Sequence, residues 1–400
     1  MKRNHLLTAI LLLPMLLFVG CGTKPAPIMN IHEGAQGGDS TGLEDCELQP
    51  ESSSTKHAAE CGALTALLDK QVKQQDILGM VMAVRLADGN VIWDTSGYVD
   101  PDGKERWTAN TPSLIGSITK TFTAVIVMQL VEEGKLSLND TVDIWFPEQP
   151  NGDKITVRML LSHTSGLGDY QELLGIDPEK LTREWVPEEL IAITNQAGPV
   201  GVPGSSTAHY SSTNYIMLGR IIEKVTGNSW SHEIESRIIQ PLGLEDTIVP
   251  KKDLSNEVVV PGYMKTSDGY LNLLEHPWYP HISASTGWAA GGIISSASDL
   301  MTFASALFDG KLMSKETLEL MSRPVGTGGR WTWGLGGGVM KINDHQAFAM
   351  GGDTVGYHAF FIGTLDGRFI VTALVNTNEG DVILPSMDAL KSIIQQNKSK

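Results

Sequence analysis

The sequence predicts an α+β protein in which an antiparallel β-sheet is flanked by helices and a mostly helical region is inserted between its strands. Three observations predict this fold class. Strand-like runs of alternating apolar and polar residues occur near the start and again at the end of the folded part, the middle has helical periodicity, and helical patterns lie at both ends. The length of 400 residues suits one large domain or two interleaved ones.

Composition and charge exclude several classes of protein. Hydrophobic residues make up 41% of the chain and charged residues 19%, values that exclude wholesale disorder, collagen and a coiled coil. The net charge is −16 without a basic block, so we expect no nucleic-acid partner, because phosphate contacts need clustered Lys and Arg. The 3 cysteines all lie near the N-terminus and the 10 histidines are scattered, so we expect no disulfide-dense scaffold, no metal site and no cofactor.

The N-terminus has the pattern of an export signal. Lys2 and Arg3 precede an apolar run at 6–19 that is too short to span a bilayer comfortably. The four residues at the exit of this run, Phe-Val-Gly-Cys at 18–21, resemble the lipobox of bacterial lipoproteins, although Phe18 replaces the usual Leu. This resemblance implies a lipidated Cys21 and an exported protein anchored to the bacterial cell envelope, on the periplasmic or outer-membrane face in a Gram-negative cell. The alternative is ordinary secretion with a free Cys21.

A flexible linker is predicted between the signal peptide, 1–20, and the folded domain, 57–397. Residues 21–56 are rich in Gly, Ser, Pro and acidic residues and have almost no periodic apolar pattern. Cys46 and Cys61 are candidates for a disulfide in the oxidising compartment that export implies. The bond would close a loop of about 15 residues and contribute about 3 kcal/mol on the chain-entropy model. Two free thiols are the alternative.

The sheet part of the domain is predicted at about 57–110 and 311–397. Apolar residues at helical spacing predict a helix over 57–75, and a second helix closes the chain at about 385–396. Asp-Gly pairs at 88–89 and 366–367 are hairpin signals between strand-like runs. The predicted strands are 79–86, 91–98, 334–342, 346–351, 356–364 and 368–376.

The helical part is predicted at about 111–310. The run 214–226 places apolar residues on one helical face and is followed by Gly227, a typical C-terminal stop. The sequence at 296–299 predicts a capping box that opens another helix. The run 124–128 is apolar all round, which is typical of a buried helix.

A Ser-x-x-Lys pair at the start of that buried helix could carry chemistry. Ser117 and Lys120 are three residues apart and therefore share a helical face, and helical side chains lean toward the N-terminus, which tips Lys120 over Ser117. Unpaired N–H groups and the helix dipole at Ser117 favour negative charge there. The same field and burial disfavour a protonated Lys120, so a neutral amine base is plausible. The motif alone is common, since the linker also has one at Ser53.

Further motifs occur in a fixed order along the chain: Leu-Leu-Ser-His-Thr-Ser-Gly-Leu at 160–167, Pro-Gly at 203–204, His-Tyr-Ser-Ser-Thr-Asn-Tyr at 209–215, Ala-Gly-Gly-Ile at 290–293 and Gly-Gly-Asp-Thr-Val-Gly-Tyr at 351–357. With the Ser-x-x-Lys pair they resemble the serine β-lactamase and penicillin-binding family, closest to its class C and D-alanyl-D-alanine carboxypeptidase branch. The resemblance runs from about 60 to 395 and implies the β-lactamase-like, DD-peptidase fold.

The resemblance also implies roles for individual residues. Ser117 is expected to be the acylated nucleophile, Lys120 its proton partner, and Tyr210 the residue that shuttles protons to the leaving group. The backbone N–H groups of Ser117 and Asp353 are expected to form the oxyanion hole, worth about 3–4 kcal/mol per donor in other hydrolases. His163 is expected to have a structural hydrogen-bonding role.

Two substrate-binding positions depart from the family pattern. Ser212 replaces the Asn of a Tyr-x-Asn element, and a hydroxyl cannot offer both an amide N–H and a C=O. Met350 precedes Gly351 and Gly352 where the family has Lys or His, the side chain that normally meets a substrate carboxylate. Esterase members carry an apolar residue there, so the change is compatible with an enzyme. His358 is a candidate to replace the lost cation.

The predicted function is that of a serine hydrolase that cleaves an ester or amide through an acyl-enzyme. A β-lactam, a D-Ala-D-Ala peptide and a small ester all suit this chemistry, and the residues do not select among them. The alternative is a catalytically weakened penicillin- or peptide-binding lipoprotein. A Ser-His-Asp hydrolase is disfavoured because the one Gly-x-Ser-x-Gly sequence, around Ser40, lies in the linker without a preceding strand.

Overall fold

The computed structural model describes residues 47–48, 57–175, 177, 180, 183–251, 258–276 and 283–398, all of them in the compact unit Cys46–Lys400. The predicted signal peptide, most of the predicted linker, and Cys21 and Cys46 lie outside the described residues. Cys61 takes part in a disulfide bond, and its pairing with Cys46 stays a prediction. No helix in the described part of the chain is both long and apolar enough to cross a membrane.

One large antiparallel sheet organises the domain. Within the described ranges its nine strands have the order β1-β3-β2-β13-β12-β11-β10-β9-β8, and two further pairs are β4 with β7 and β5 with β6. The strands are β1 Glu47–Leu48, β2 Gly79–Arg85, β3 Val91–Gly97, β4 Ser113–Leu114, β5 Tyr263–Thr266, β6 Gly269–Asn272, β7 Ile294–Ser295, β8 Gly326–Gly328, β9 Trp331–Trp333, β10 Gly338–Ile342, β11 His345–Thr354, β12 Tyr357–Thr364 and β13 Ile370–Val375. Because β2 pairs with β13, for example Ala83 opposite Thr372, strands from the N-terminal and C-terminal parts of the domain lie in one sheet.

Helices cover both faces of this sheet. The α-helices of the described residues are α1 Ala58–Gln75, α2 Thr119–Glu132, α3 Val157–Leu161, α4 Tyr170–Leu174, α5 Pro187–Ala197, α6 Thr213–Thr226, α7 Trp230–Ile234, α8 Gln240–Leu242, α9 Trp288–Gly291, α10 Ala297–Phe308, α11 Lys315–Met321 and α12 Ile383–Lys398. On one face α1 and α12 pack through residues such as Leu68 and Leu390 against Val371. On the other face α2, α6 and α10 form the main core with the even-numbered side of β11, including Phe348. Successive side chains along a strand therefore point alternately into two apolar clusters, one on each face of the sheet.

The sequence-based elements agree with this architecture, and the α+β fold class is confirmed. The predicted helices at 57–75, 214–226 and 385–396 correspond to α1, α6 and α12. α2 is buried on all sides, as its all-round apolar pattern predicts. The short strands β4 to β7 were not predicted, because two- to four-residue strands leave little pattern in the local sequence. The partners β4 and β7 are also far apart in the chain.

Two local predictions were wrong in part. The predicted strand over 334–342 begins only at Gly338, since the turn before it approaches α2 so closely that a Cβ on Gly336 would lie 2.3 Å from Ala124 Cβ. The predicted capping box is half formed. Ser296 Oγ accepts from the Asp299 N–H, but the Asp299 carboxylate accepts from the Thr247 hydroxyl, 2.8 Å away, and from the Asp246 N–H.

Candidate active site

Ser117 lies in a single 3₁₀ turn, Gly116–Ile118, that leads directly into α2. The turn begins with Gly116 at φ +48°, a left-handed conformation that favours glycine. Ser117 is half-buried while its neighbours on both sides are buried. The first turn of α2 thus presents one hydroxyl at the surface, at the end of a helix where the backbone N–H groups are unpaired.

Lys120 brings a buried amine to that hydroxyl. Its Nζ lies 3.0 Å from Ser117 Oγ and 2.6 Å from the carbonyl oxygen of Ala290, and the residue is 1% exposed. Burial lowers the pKa of Lys120 to about 7, and the nearby Asp169 carboxylate opposes part of that shift. Near neutral pH a large fraction of Lys120 is therefore unprotonated and able to accept a proton.

Tyr210 approaches the same hydroxyl from the loop before α6. Its OH donates to Ser117 Oγ across 2.7 Å, and the residue is 38% exposed, so a substrate can reach it. The ring packs beside His163 at 4.4 Å and Trp333 at 5.4 Å between centroids. Burial of the phenol raises the pKa of Tyr210 above its ordinary value, partly offset by the hydrogen bond to Ser117. Tyr210 therefore stays protonated at pH 7.

His163 supports Tyr210 from beneath. It is 1% exposed, and its Nδ1 accepts from the Ser211 N–H at 3.2 Å and faces the side-chain amide of Asn214 at 3.3 Å. Since the Asn214 carbonyl oxygen already accepts from Ser165 Oγ, its NH₂ group is the donor to His163. Burial and the Lys120 charge hold the pKa of His163 well below its usual range. A neutral imidazole, in which the Nδ1 lone pair is shared between these two donors, fixes the backbone beside Tyr210.

The two backbone N–H groups expected in the oxyanion hole lie on segments in close contact. A Cβ built on Gly116 would lie 2.9 Å from Asp353 N, and one built on Gly352 would lie 2.9 Å from Ser117 N and 1.8 Å from Ile115 O. Only glycine fits at both positions, because a side chain at either would collide with backbone. The backbones of β11 and of the Ser117 turn are thus in direct contact, and the N–H groups of Ser117 and Asp353 lie where they meet.

The predicted substrate-binding positions are mostly closed in this structure. Met350 is 3% exposed within the main core, and Gly352 is buried against the Ser117 turn, while Gly351 is half-buried. Ser212 is 0% exposed, and its hydroxyl donates to Gln171 Oε1 at 3.1 Å. The side chains of Met350 and Ser212 are therefore not open to a substrate in this structure. Met350 packs in the core, and the Ser212 hydroxyl is bonded to Gln171.

The candidate cation at His358 also has a different environment from the one expected. Its Nδ1 lies 2.6 Å from Asp353 Oδ1 and its Nε2 lies 3.0 Å from the carbonyl oxygen of Asn378. Only 18% of the side chain is exposed. Both ring nitrogens are thus engaged within the protein, and His358 does not replace the missing basic residue before Gly351.

Sequence reasoning missed Asp169 and Gln171. Asp169 is the N-cap of α4, and its carboxylate accepts from the N–H groups of Gln171 at 3.0 Å and Ser212 at 3.1 Å. Burial raises the pKa of Asp169, while these bonds and Lys120 oppose the rise. An Asp two residues after the motif at 160–167 was the available signal, since Asp is a favoured N-cap. Among the described residues no cluster of three or more His, Cys, Asp or Glu side chains could hold a metal ion.

Known proteins are similar to this chain in sequence and in fold. The family model described as Beta-lactamase matches residues 64–394. PbpX of Bacillus subtilis (strain 168), which carries the name of a penicillin-binding protein, is 31% identical over 67% of this chain and 64% of its own length. Esterase EstB of Burkholderia gladioli is 27% identical over 50% of this chain and 54% of its own. The chain thus spans about half to two thirds of these two relatives.

Two solved structures superpose on most of the domain. The D-stereospecific amidohydrolase of a Streptomyces species has a TM-score of 0.71 and 30% identity and covers 82% of this chain and 98% of its own. The D-amino acid amidase of Ochrobactrum anthropi SV3, solved with L-phenylalanine amide, has a TM-score of 0.75 and 26% identity and covers 85% of this chain and 99% of its own. The chain therefore belongs to the β-lactamase family of serine hydrolases.

Proposed function

We propose that this protein is a serine hydrolase that cleaves an ester or amide through an acyl-enzyme on Ser117. The observation that carries the proposal is the convergence of two proton-bearing groups on one hydroxyl, with Lys120 Nζ 3.0 Å and Tyr210 OH 2.7 Å from Ser117 Oγ. A serine hydroxyl is a weak nucleophile until an adjacent base takes its proton. The buried amine meets that requirement, and the half-buried Ser117 is open to a substrate.

In the acylation step the Ser117 hydroxyl loses its proton to neutral Lys120 while its oxygen attacks the carbonyl carbon. The negative charge that develops on the carbonyl oxygen is stabilised by the N–H groups of Ser117 and Asp353. As the bond to the alcohol or amine breaks, the proton passes through Tyr210 to the leaving group. Water then attacks the acyl-enzyme by the same route in reverse, and releases the carboxylic acid and free Ser117.

Lys120 is a better candidate than Tyr210 for the base in this sequence of steps. The pKa of Lys120 is about 7, whereas burial raises that of Tyr210, so the phenol does not ionise near neutral pH. A base is most effective when its pKa is near the working pH. Tyr210 then acts as a neutral relay that gives one proton and receives another.

For the substrate we favour a neutral acyl ester over a substrate with a free carboxylate. Met350 stands where the family's basic residue would form a charge-assisted hydrogen bond to a carboxylate, and a thioether cannot form one. His358 is occupied by Asp353 and Asn378. The esterase relative supports ester cleavage, and the amidase neighbour supports cleavage of amino acid amides.

The second candidate is a penicillin- or peptide-binding protein with weakened turnover, which the changes at Met350 and Ser212 favour. Intact-mass analysis after exposure to a penicillin, an activated ester and an acyl-D-Ala-D-Ala peptide tests both readings. An acyl adduct on Ser117 with steady release of product supports the hydrolase, and an adduct that persists without turnover supports the binding protein. An adduct on a peptide that lacks Ser117 contradicts both.

For localisation we propose a lipid-anchored protein of the bacterial cell envelope. The support is the basic start, the short apolar run and Cys21 at its end. The linker at 21–56 would then hold the domain away from the membrane, where its active site is free to meet a small-molecule or peptide substrate.

A further inference from the structure

The hairpin that carries Asp353 ends in a two-residue turn at 355–356, and Asp353 and His358 are directly opposite each other at its base. Gly356 has φ +86°, and a Cβ there would lie 2.3 Å from Leu273, so the tip of the hairpin is tightly held. The same tip is also bonded to Asn378, whose Oδ1 accepts from the Gly356 N–H at 3.4 Å. The orientation of the Asp353 backbone thus depends on what holds this hairpin.

His358 is bonded on both sides to groups that only accept. Nδ1 lies 2.6 Å from the Asp353 carboxylate and Nε2 lies 3.0 Å from the Asn378 carbonyl oxygen. A ring in which both nitrogens face acceptors forms both hydrogen bonds only when both carry a proton. Burial by itself would lower the pKa of His358, but Asp353, Asn378 and the charge of Asp381 raise it above the ordinary value. Asp353 and Asp381 are the charged groups that act on the ring.

The backbone of Asn378 is held by hydrogen bonds to a strand outside the hairpin. Its N–H donates to the carbonyl oxygen of Tyr263 at 2.9 Å, and the Tyr263 N–H donates to the carbonyl oxygen of Asn376, also at 2.9 Å. The segment after β13 is therefore tied to β5, outside the hairpin. A group bonded to both Asn378 and Asp353 connects the hairpin to this independent anchor.

We propose that His358 is a positioning residue that holds the Asp353 N–H toward Ser117 by tying the Asp353 side chain to the Asn378 carbonyl. The inference rests on the proposed function, in which that N–H stabilises the oxyanion. His358 itself has 18% of its side chain exposed and its two nitrogens are occupied, so it acts through Asp353 and not on the substrate. A displaced donor is costly, because loss of one oxyanion-hole donor lowers kcat by about 100- to 1,000-fold in other hydrolases.

The test compares His358→Phe, which removes both hydrogen bonds, with His358→Asn, whose amide nitrogen can still donate to Asp353. The matched control is His345→Phe, at the opposite end of β11, where His345 also faces a carboxylate, that of Asp366, at 3.5 Å. All are assayed on 4-nitrophenyl butyrate and on its thiono analogue. Sulfur is a weaker hydrogen-bond acceptor than oxygen, so the ester-to-thionoester ratio of kcat/KM reports on the oxyanion hole.

We expect His358→Phe to lower kcat by about 10- to 100-fold with little change in KM, a partial loss of an oxyanion donor. The ester-to-thionoester ratio should fall, and His358→Asn should recover part of both. Wild-type activity should also decline as pH rises through the pKa of His358, since the doubly bonded ring must be protonated, and His358→Asn should lack this decline.

The inference is overturned if His358→Phe leaves the ester-to-thionoester ratio at the wild-type value or loses no more activity than His345→Phe. Covalent labelling of Ser117 in the wild type separates this result from a failure of the proposed function. Without a label the hydrolase proposal itself fails. With a label and an unchanged ratio only the role of His358 fails. Thermal unfolding of each variant identifies loss of activity that is due to loss of fold.

Discussion

The amine of Lys120 lies 3.0 Å from the hydroxyl oxygen of Ser117, although the lysine is 1% exposed. The two residues are one helical turn apart, so their contact is local, but the burial comes from α2 being surrounded on all sides. A buried amine that donates to Ala290 and to Ser117 is poised to exchange a proton with the serine. This relationship leads to the first three predictions.

Ser117→Ala is expected to remove all hydrolysis and all covalent labelling, because the Ser117 hydroxyl is the proposed nucleophile on which Lys120 and Tyr210 converge. Intact mass and steady-state turnover of an activated ester provide the measurement. Ser53→Ala is the matched control, since Ser53 begins the same Ser-x-x-Lys pattern in the linker, and it should leave both readouts unchanged. Residual turnover in Ser117→Ala would point to a different nucleophile.

Lys120→Met is expected to remove a pH-dependent contribution to stability. In the folded protein the pKa of Lys120 is about 7, against 10.5 as its ordinary value, so between these pH values unfolding takes up a proton. The free energy of unfolding of the wild type therefore gains up to about 1.4 kcal/mol per pH unit from this group as pH rises, and the contribution is least favourable below pH 7.

Urea unfolding at several pH values above 7 measures this slope. The slope of the wild type should exceed that of Lys120→Met, while Lys391→Met, which changes a lysine with 44% of its side chain exposed, should keep the wild-type slope. Equal slopes in the wild type and Lys120→Met would mean that the amine is not neutral in the folded state.

Asp169→Asn is expected to shift the pH–activity profile to lower pH. The Asp169 carboxylate raises the pKa of Lys120, so its removal lowers that pKa further and leaves more neutral amine below pH 7. The rising limb of kcat/KM, which in the wild type should lie near pH 7, measures the effect. Asp299→Asn is the control, because Asp299 is also a buried carboxylate but contacts Asp246 and Thr247. A rising limb that stays in place in Asp169→Asn would contradict the electrostatic link.

Met350→His is expected to lower stability and to leave the preference between neutral and carboxylate-bearing esters unchanged. Met350 is 3% exposed in the main core, so an imidazole there would be buried, neutral and out of reach of a substrate carboxylate. Thermal unfolding and kcat/KM on matched esters with and without a free carboxylate provide the measurements. A selective gain on the carboxylate ester, which a charge-assisted hydrogen bond would raise by about 10- to 100-fold, would show that position 350 meets the substrate.

Cys21→Ser is expected to release an active protein from the membrane fraction. The described domain begins its first helix at Ala58, so loss of the anchor should not change the active site. Fractionation with an ester assay, together with mapping of the mature N-terminus, checks this. Cys61→Ser is an informative comparison, because Cys61 is in a disulfide and its loss should lower stability without releasing the protein. A mature N-terminus at another residue would exclude lipidation at Cys21.

Much of the fold could be predicted because its elements are locally periodic. The α1 helix, the β2–β3 hairpin and strands β11 to β13 follow from apolar spacing and Asp-Gly turns, which act within a few residues. The pairings of β2 with β13 and of β4 with β7 depend on partners far away in the chain, for which local pattern carries no signal. The β5–β6 hairpin is local, but its four-residue strands are too short to leave a clear pattern.

For the candidate site, the sequence by itself determined that Ser117 and Lys120 share a face at the start of a buried helix, since helical geometry dictates this from their spacing. Only the tertiary structure decided that Tyr210 donates to Ser117 across 93 positions and that Asp169 acts on Lys120. Burial and electrostatic fields arise from packing between distant segments. For the same reason the closed surroundings of Met350 and the occupied ring of His358 became visible only in the folded chain.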